Sequence, residues 1–148
     1  MMQDMTDVRI NKYEVPEGVS EYHAIIRVTN PRLTYREQVD AVLAAYADLM
    51  EGDLKGASAV FKRFFLSDAA NQADYLQALH AERSDCPLSV IEQAPLDGTK
   101  IAMWVYAQTG VQTKTLSHGI YEVKHGDYRH LWMAGACNQA LNSEYQMR

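Results

Sequence analysis

The sequence predicts an α+β fold in which two helices pack on one face of a sheet. Three observations lead there. A helical pattern with a complete start signal, "TYREQVDAVLAAYADLMEG", follows a strand-like run. A second run of branched and aromatic residues, "ASAVFKRFFLSD", separates it from a shorter helical pattern. Two apolar strand segments and a terminal hairpin then follow with no further helix. Helical and strand periodicities alternate first and strands accumulate last, which is the order of an α+β chain.

Residues 1–20 mix charges with Pro16 and Gly18 and predict an extended, partly ordered arm. In "EYHAIIRVTN", the branched residues Ile25, Ile26 and Val28 make a strand that Asn30-Pro31 ends. Thr34 and Glu37 have the spacing of a capping box, the hydroxyl taking one orphan N–H and the carboxylate reaching back to another. Val39, Val42, Leu43, Tyr46, Leu49 and Met50 then repeat at helical spacing, and Gly52 and Gly56 bracket the exit. "ASAVFKRFFLSD" is the next strand. Asp68 or Asn71 can cap a second helix, whose apolar face is Tyr75, Leu76 and Leu79. The stretch "CPLSVIEQAPLDGTKIAMWVYAQ" reads as two strands turning at Asp97-Gly98, where positive φ is expected. "KHGDYR" is the loop of a last hairpin. The expected organisation is an arm over 1–20, a core over 21–108 and a C-terminal hairpin extension over 109–148.

A formal charge of -5 argues against a nucleic-acid partner, which needs a basic face. Cys86 and Cys137 are the only two cysteines; free thiols in a reducing cytoplasm are expected rather than a disulfide framework. The acid-bearing start is not a secretory signal, and no window reaches the length of a membrane span. A cytoplasmic protein without a membrane partner follows. In the strand from Ile101, the faces Ile101/Met103/Val105 and Ala102/Trp104/Tyr106 are both apolar. A two-layer monomer leaves one face wet, so another subunit is expected on the second face.

Three segments, "LTYREQVDAVLAAYADLMEG", "SAVFKRFFLSDAANQADYLQ" and "PLSVIEQAPLDGTKIAMWVYA", together resemble the Rid family (YjgF, also described as reactive-intermediate deaminase or endoribonuclease L-PSP) between about Tyr22 and Gln108. The resemblance implies a chorismate mutase-like fold, a homotrimer packed sheet to sheet and ligand clefts between subunits. It also implies an arginine just after the proline of the penultimate strand, clamping a substrate carboxylate, and a glutamate in the last strand, positioning water. The matching positions here are Leu88 and Trp104. An asparagine of the second helix falls near Leu76. Leucine binds no anion and tryptophan activates no water, so family deaminase chemistry is not expected at that position. "HGIYEVKHGDYRHLWMAGACN" resembles the hairpin with which family members begin, either displaced to the C-terminus or forming the first piece of a second Rid-like unit; an added hairpin covering a sheet edge is the alternative.

The candidate ligand-binding residues are Leu88, Trp104, Arg63, Glu92 and Tyr121. Lys62 and Arg63 sit mid-strand and must point to opposite faces. Glu92 is one partner for such a cation and an anionic ligand the other; Arg63 is the substitute for the missing arginine. Trp104, Trp132, Tyr106, Tyr121 and Tyr128 either line an aromatic pocket or form core and interface. His118, His125 and His130 lack zinc-site spacing, so no metal is expected, nor any cofactor. His23 and His80 read as surface or helix-face residues, and neither cysteine has a visible activating base. The expected function is a divergent Rid-like homotrimer that lacks the family's catalytic arginine and glutamate and binds a small metabolite, or serves as an accessory protein. The alternative is an enzyme acting on a small imino, aromatic or cyclic acid at the inter-subunit cleft. Ribonuclease activity is the third reading, and the acidic charge opposes it.

Overall fold

The computed structural model describes residues 5–14, 18–80, 86–117 and 120–133. The elements follow in the order β1 (Thr6–Glu14), β2 (Ser20–Val28), α1 (Tyr35–Glu51), β3 (Ser58–Leu66), α2 (Ala69–His80), β4 (Leu88–Glu92), β5 (Ile101–Gln108), β6 (Gln112–Ser117), β7 (Ile120–His125) and β8 (Tyr128–Met133). The architecture is α+β. A mixed five-stranded sheet is ordered β1-β2-β5-β3-β4, and a three-stranded sheet is ordered β6-β7-β8. None of the described helices is long and apolar enough to cross a membrane.

Helix α1 begins where the capping box places it. The Thr34 hydroxyl accepts from the Glu37 N–H and the Glu37 carboxylate accepts from the Thr34 N–H, both at 3.2 Å. The box satisfies two donors that the helix itself leaves unpaired. Thr34→Ala is therefore expected to lower stability by about 1 kcal/mol, read as a lower urea midpoint with an unchanged slope. Val39, Val42 and Leu49 are buried, and Leu43, Tyr46 and Met50 pack at the edge of the same cluster. Gly52 closes the helix by donating to the carbonyls of Asp48 and Leu49.

The five-stranded sheet turns one face to the helices. Along β2, Ala24, Ile26 and Val28 are buried while His23, Ile25 and Arg27 are exposed. The register carries that alternation across the sheet. Ala24 pairs with Val105 and Ile26 with Met103; on the next strand Val105 pairs with Lys62, and Met103 with Phe64. These residues, with Ile101 and Leu66, are fully buried beneath the helices. Lys62 belongs to this layer: it is fully buried, and its ammonium lies 4.8 Å from the centre of the Tyr46 ring on α1. Helix α2 buries Leu76 and is tied to α1 by the Tyr35 hydroxyl, which donates to the Gln72 carbonyl at 2.8 Å. Burial pushes the Tyr35 phenol up to about 12, so it remains a donor at neutral pH.

Three expectations change in detail. The N-terminal stretch is an edge strand, pairing with β2 from Thr6↔Val28 to Glu14↔Ser20 and packing Val8 and Ile10 against the core. The segments read as a closing hairpin are not neighbours. β4 pairs with β3 in parallel, and β5 pairs with β2 and β3, so the connection over residues 93–100 steps across β3. A two-residue hairpin turn cannot do that; this longer link spans the two inter-strand spacings of ~5 Å each. Gly98 still takes the expected positive φ, 83°. Beyond Gln108, the extension is a three-stranded meander rather than a lone hairpin, with its predicted turn at Gly126 between β7 and β8.

Candidate functional site

The face of the five-stranded sheet away from the helices is built by the alternate residues of each strand. A register irregularity in the β3–β5 pairing lies between Ala59 and Phe61. From there Phe61 pairs with Tyr106, Arg63 with Trp104 and Phe65 with Ala102, so all six side chains share this outer face. On β2, His23 pairs with Tyr106 and Ile25 with Trp104. On β4, Ser89 pairs with Arg63.

Arg63 sits at the centre of this surface. Its guanidinium carbon lies 5.5 Å from the Phe61 ring centre and 5.9 Å from that of Trp104. Its Nε donates to the Ser89 hydroxyl at 3.3 Å. Both ring faces attract the cation, and together they restrict the guanidinium plane. Among the described residues it makes no ion pair with a carboxylate. On the other side of Trp104 the His23 imidazole stacks at 5.9 Å with planes 12° apart, and it lies 4.7 Å from the Tyr106 ring.

The small sheet closes one end of this surface. Trp132 on β8 lies 5.8 Å from Phe61 and 5.5 Å from Tyr106. The second face thus receives part of its cover from its own chain, where a neighbouring subunit was expected to supply it. Beneath that cover the Tyr106 hydroxyl donates to Glu21 at 2.6 Å and accepts from the Gln108 amide at 2.7 Å. Burial first, then the hydrogen bond to Glu21, pushes the Tyr106 phenol up to about 12. It therefore stays protonated and keeps donating at neutral pH.

The structure brings only some of the expected residues together. Arg63 and Trp104 are adjacent on the outer face. Leu88 pairs with the buried Lys62 and so faces the helices; it and Trp104 lie on opposite sides of the sheet and line no common cleft. The β4 residue on the face of Trp104 is Ser89. Glu92 pairs with Leu66, on the helix side, and its carboxylate accepts from the Ala69 N–H at 3.0 Å, at the start of α2. There it meets the positive end of the helix dipole. Tyr121 is buried on β7 opposite Trp132, the residue that meets Phe61. Ser89, Phe61 and His23 belong to the site and were not among the expected residues. Strand alternation could have placed Phe61 beside Arg63. Ser89 required the β3–β4 register.

The remaining candidates fall elsewhere. Cys86 is buried; Cys137 and His118 lie outside the described residues. Among the described residues no group of three or more His, Cys, Asp or Glu side chains is arranged to hold a metal ion. Compared with known family models, curated proteins and solved structures, the chain matches none.

Chemically, the outer face offers a fixed cation between two aromatic planes, with a hydroxyl beside it. Glu21, on the same face, is engaged by Tyr106 and Gln108. The arrangement suits holding a flat anion more than activating water.

Proposed function

We propose that this chain is a divergent Rid-like protein that binds a small flat carboxylate on its outer sheet face, as a homotrimer, without the family's deaminase chemistry. The observation that carries the reading is the setting of Arg63, half-buried between Phe61 and Trp104 with Ser89 as its hydrogen-bonding neighbour. A planar guanidinium held this way favours a bidentate carboxylate whose ring lies over the indole. The α+β order with both helices on one side supports the family reading, and the side chain of Trp104 where the family keeps an acid supports the loss of hydrolysis. For assembly, the support is apolar surface at the end of the outer face away from Trp132. Ile25, Phe65 and Ala102 line a depression of about 450 Å³ there, beside the fully exposed Leu96.

Titration with indole-3-carboxylate, followed by tryptophan fluorescence, tests the site. Saturable quenching is expected, weakened at least tenfold in Arg63→Leu, because a bidentate charge-assisted contact is worth ~1.5–3 kcal/mol. Equal affinity in the two proteins rejects the assignment. Supplied with 2-imino acids, the protein should release ammonia no faster than buffer. Acceleration that disappears in Trp104→Ala would place hydrolysis at this face after all. A solution mass other than three chains removes the homotrimer.

A further inference from the structure

A second, separate gap lies where the small sheet meets the end of the main one, and its chemistry is opposite to that of Arg63. It has a volume of about 320 Å³, at the lower end of the range of small-molecule sites. Val19, Val111 and Val123 provide apolar walls. Two of its polar groups, Glu21 and His125, offer acceptors. Glu21 lines the gap, and among the described residues it forms no ion pair. One of its oxygens takes the Tyr106 hydroxyl at 2.6 Å and, more weakly, the Gln108 amide at 3.4 Å. Two neutral donors leave the negative charge uncompensated.

His125 supplies a second acceptor. Its Nδ1 lies 2.7 Å from the Gly110 carbonyl oxygen. A carbonyl only accepts, so Nδ1 carries the proton, and in the neutral ring Nε2 keeps a lone pair. Tyr128 and His130, both exposed, complete the lining, and no lysine or arginine among the described residues faces the gap.

We propose that this gap binds a small organic cation, a primary ammonium on a short aliphatic body. Its N–H groups would be taken by Glu21 and His125, and its hydrocarbon by the three valines. Three N–H donors meet a carboxylate and an imidazole lone pair, and the charge of Glu21 gains a partner that none of the described residues gives it. A carboxylate or phosphate would be repelled by Glu21, and a neutral alcohol would leave its charge unmatched. The proposal stands apart from the Arg63 reading and shares no residue with it.

The full-length protein titrated with n-butylammonium chloride, with n-butanol as the neutral match at equal ionic strength, tests it. Methyl NMR spectra should show saturable shifts of Val19, Val111 and Val123 with the ammonium alone. Glu21→Gln keeps an acceptor for Tyr106 but removes the charge, and should weaken the ammonium at least tenfold. Val111→Phe fills the gap from a half-buried position between the sheets and should abolish the shifts. It decides the matter if Glu21→Gln does not fold. Shifts of equal size with n-butanol, ammonium binding unchanged in Glu21→Gln, or binding that persists in Val111→Phe would each overturn the proposal.

Discussion

Gln38→Leu is expected to lower the free energy of unfolding by about 2–6 kcal/mol, although leucine is nearly the size of glutamine and suits an apolar core. Gln38 is fully buried on α1. Its Nε2 donates to the Leu33 carbonyl at 2.9 Å, and its Oε1 accepts from the Lys100 N–H at 2.8 Å. One amide thereby serves the backbone just before the helix and the backbone entering β5, the latter 62 residues from Gln38. With leucine, both part-buried backbone groups lose this partner, each at ~1–3 kcal/mol. Urea unfolding measures the sum. A loss below about 1 kcal/mol would mean that water or another side chain replaces the amide at both ends. Leucine at the exposed Ala44 on the same helix should stay within about 0.5 kcal/mol.

Gly110→Ala is expected to destabilise the protein by about 2–4 kcal/mol, and to do so at the junction between the two sheets. Gly110 has φ 72°, in the left-handed region. A Cβ there would lie 2.5 Å from the Gly18 carbonyl oxygen. That oxygen is backbone, and its surroundings are tied down. Thr109 donates its N–H to the Ser20 carbonyl at 2.9 Å and accepts the Ser20 N–H on its hydroxyl at 3.0 Å. The overlap must be relieved by moving the chain between β5 and β6. Trp132 should then pack less closely on Phe61 and Tyr106, seen as a red shift of tryptophan emission before unfolding. Gly98→Ala is the control. Its φ is 83°, but the nearest heavy atom to a Cβ is 4.0 Å away. Only the ~1–2 kcal/mol of the unfavourable dihedral should appear there.

Features that depend on a few consecutive residues were legible in the sequence. Thr34 and Glu37 close their box within one turn, so residue identity at two positions decides it. Lys62 and Arg63 point to opposite faces because neighbours on a strand must. The failures lie between strands. Leu88 and Ser89 are equally plausible beside Trp104 until β4 is aligned on β3, and a one-residue change in that alignment swaps the faces. Glu92 lands at the start of α2 for the same reason. The edge strand "TDVRINKYE" and the strand "QTKTLS" are polar and carry little apolar alternation; their pairing partners make them strands. The connection past β3 was hidden because a turn signal at Asp97-Gly98 fits a crossing as well as a hairpin. Of the site, Arg63 and Trp104 could be read in advance, whereas Ser89 and the Glu21–His125 gap require the assembled sheets.

The place of β5 between β2 and β3 has a consequence for synthesis. A nascent chain that ends before Ile101 holds two pieces, β1-β2-α1 and β3-α2-β4, with no strand to join them. Each exposes, besides its permanent edge, the edge that β5 will cover, until β5 emerges and zips both together. Chaperone demand during translation should therefore peak just before residue 108 leaves the ribosome and fall sharply after it.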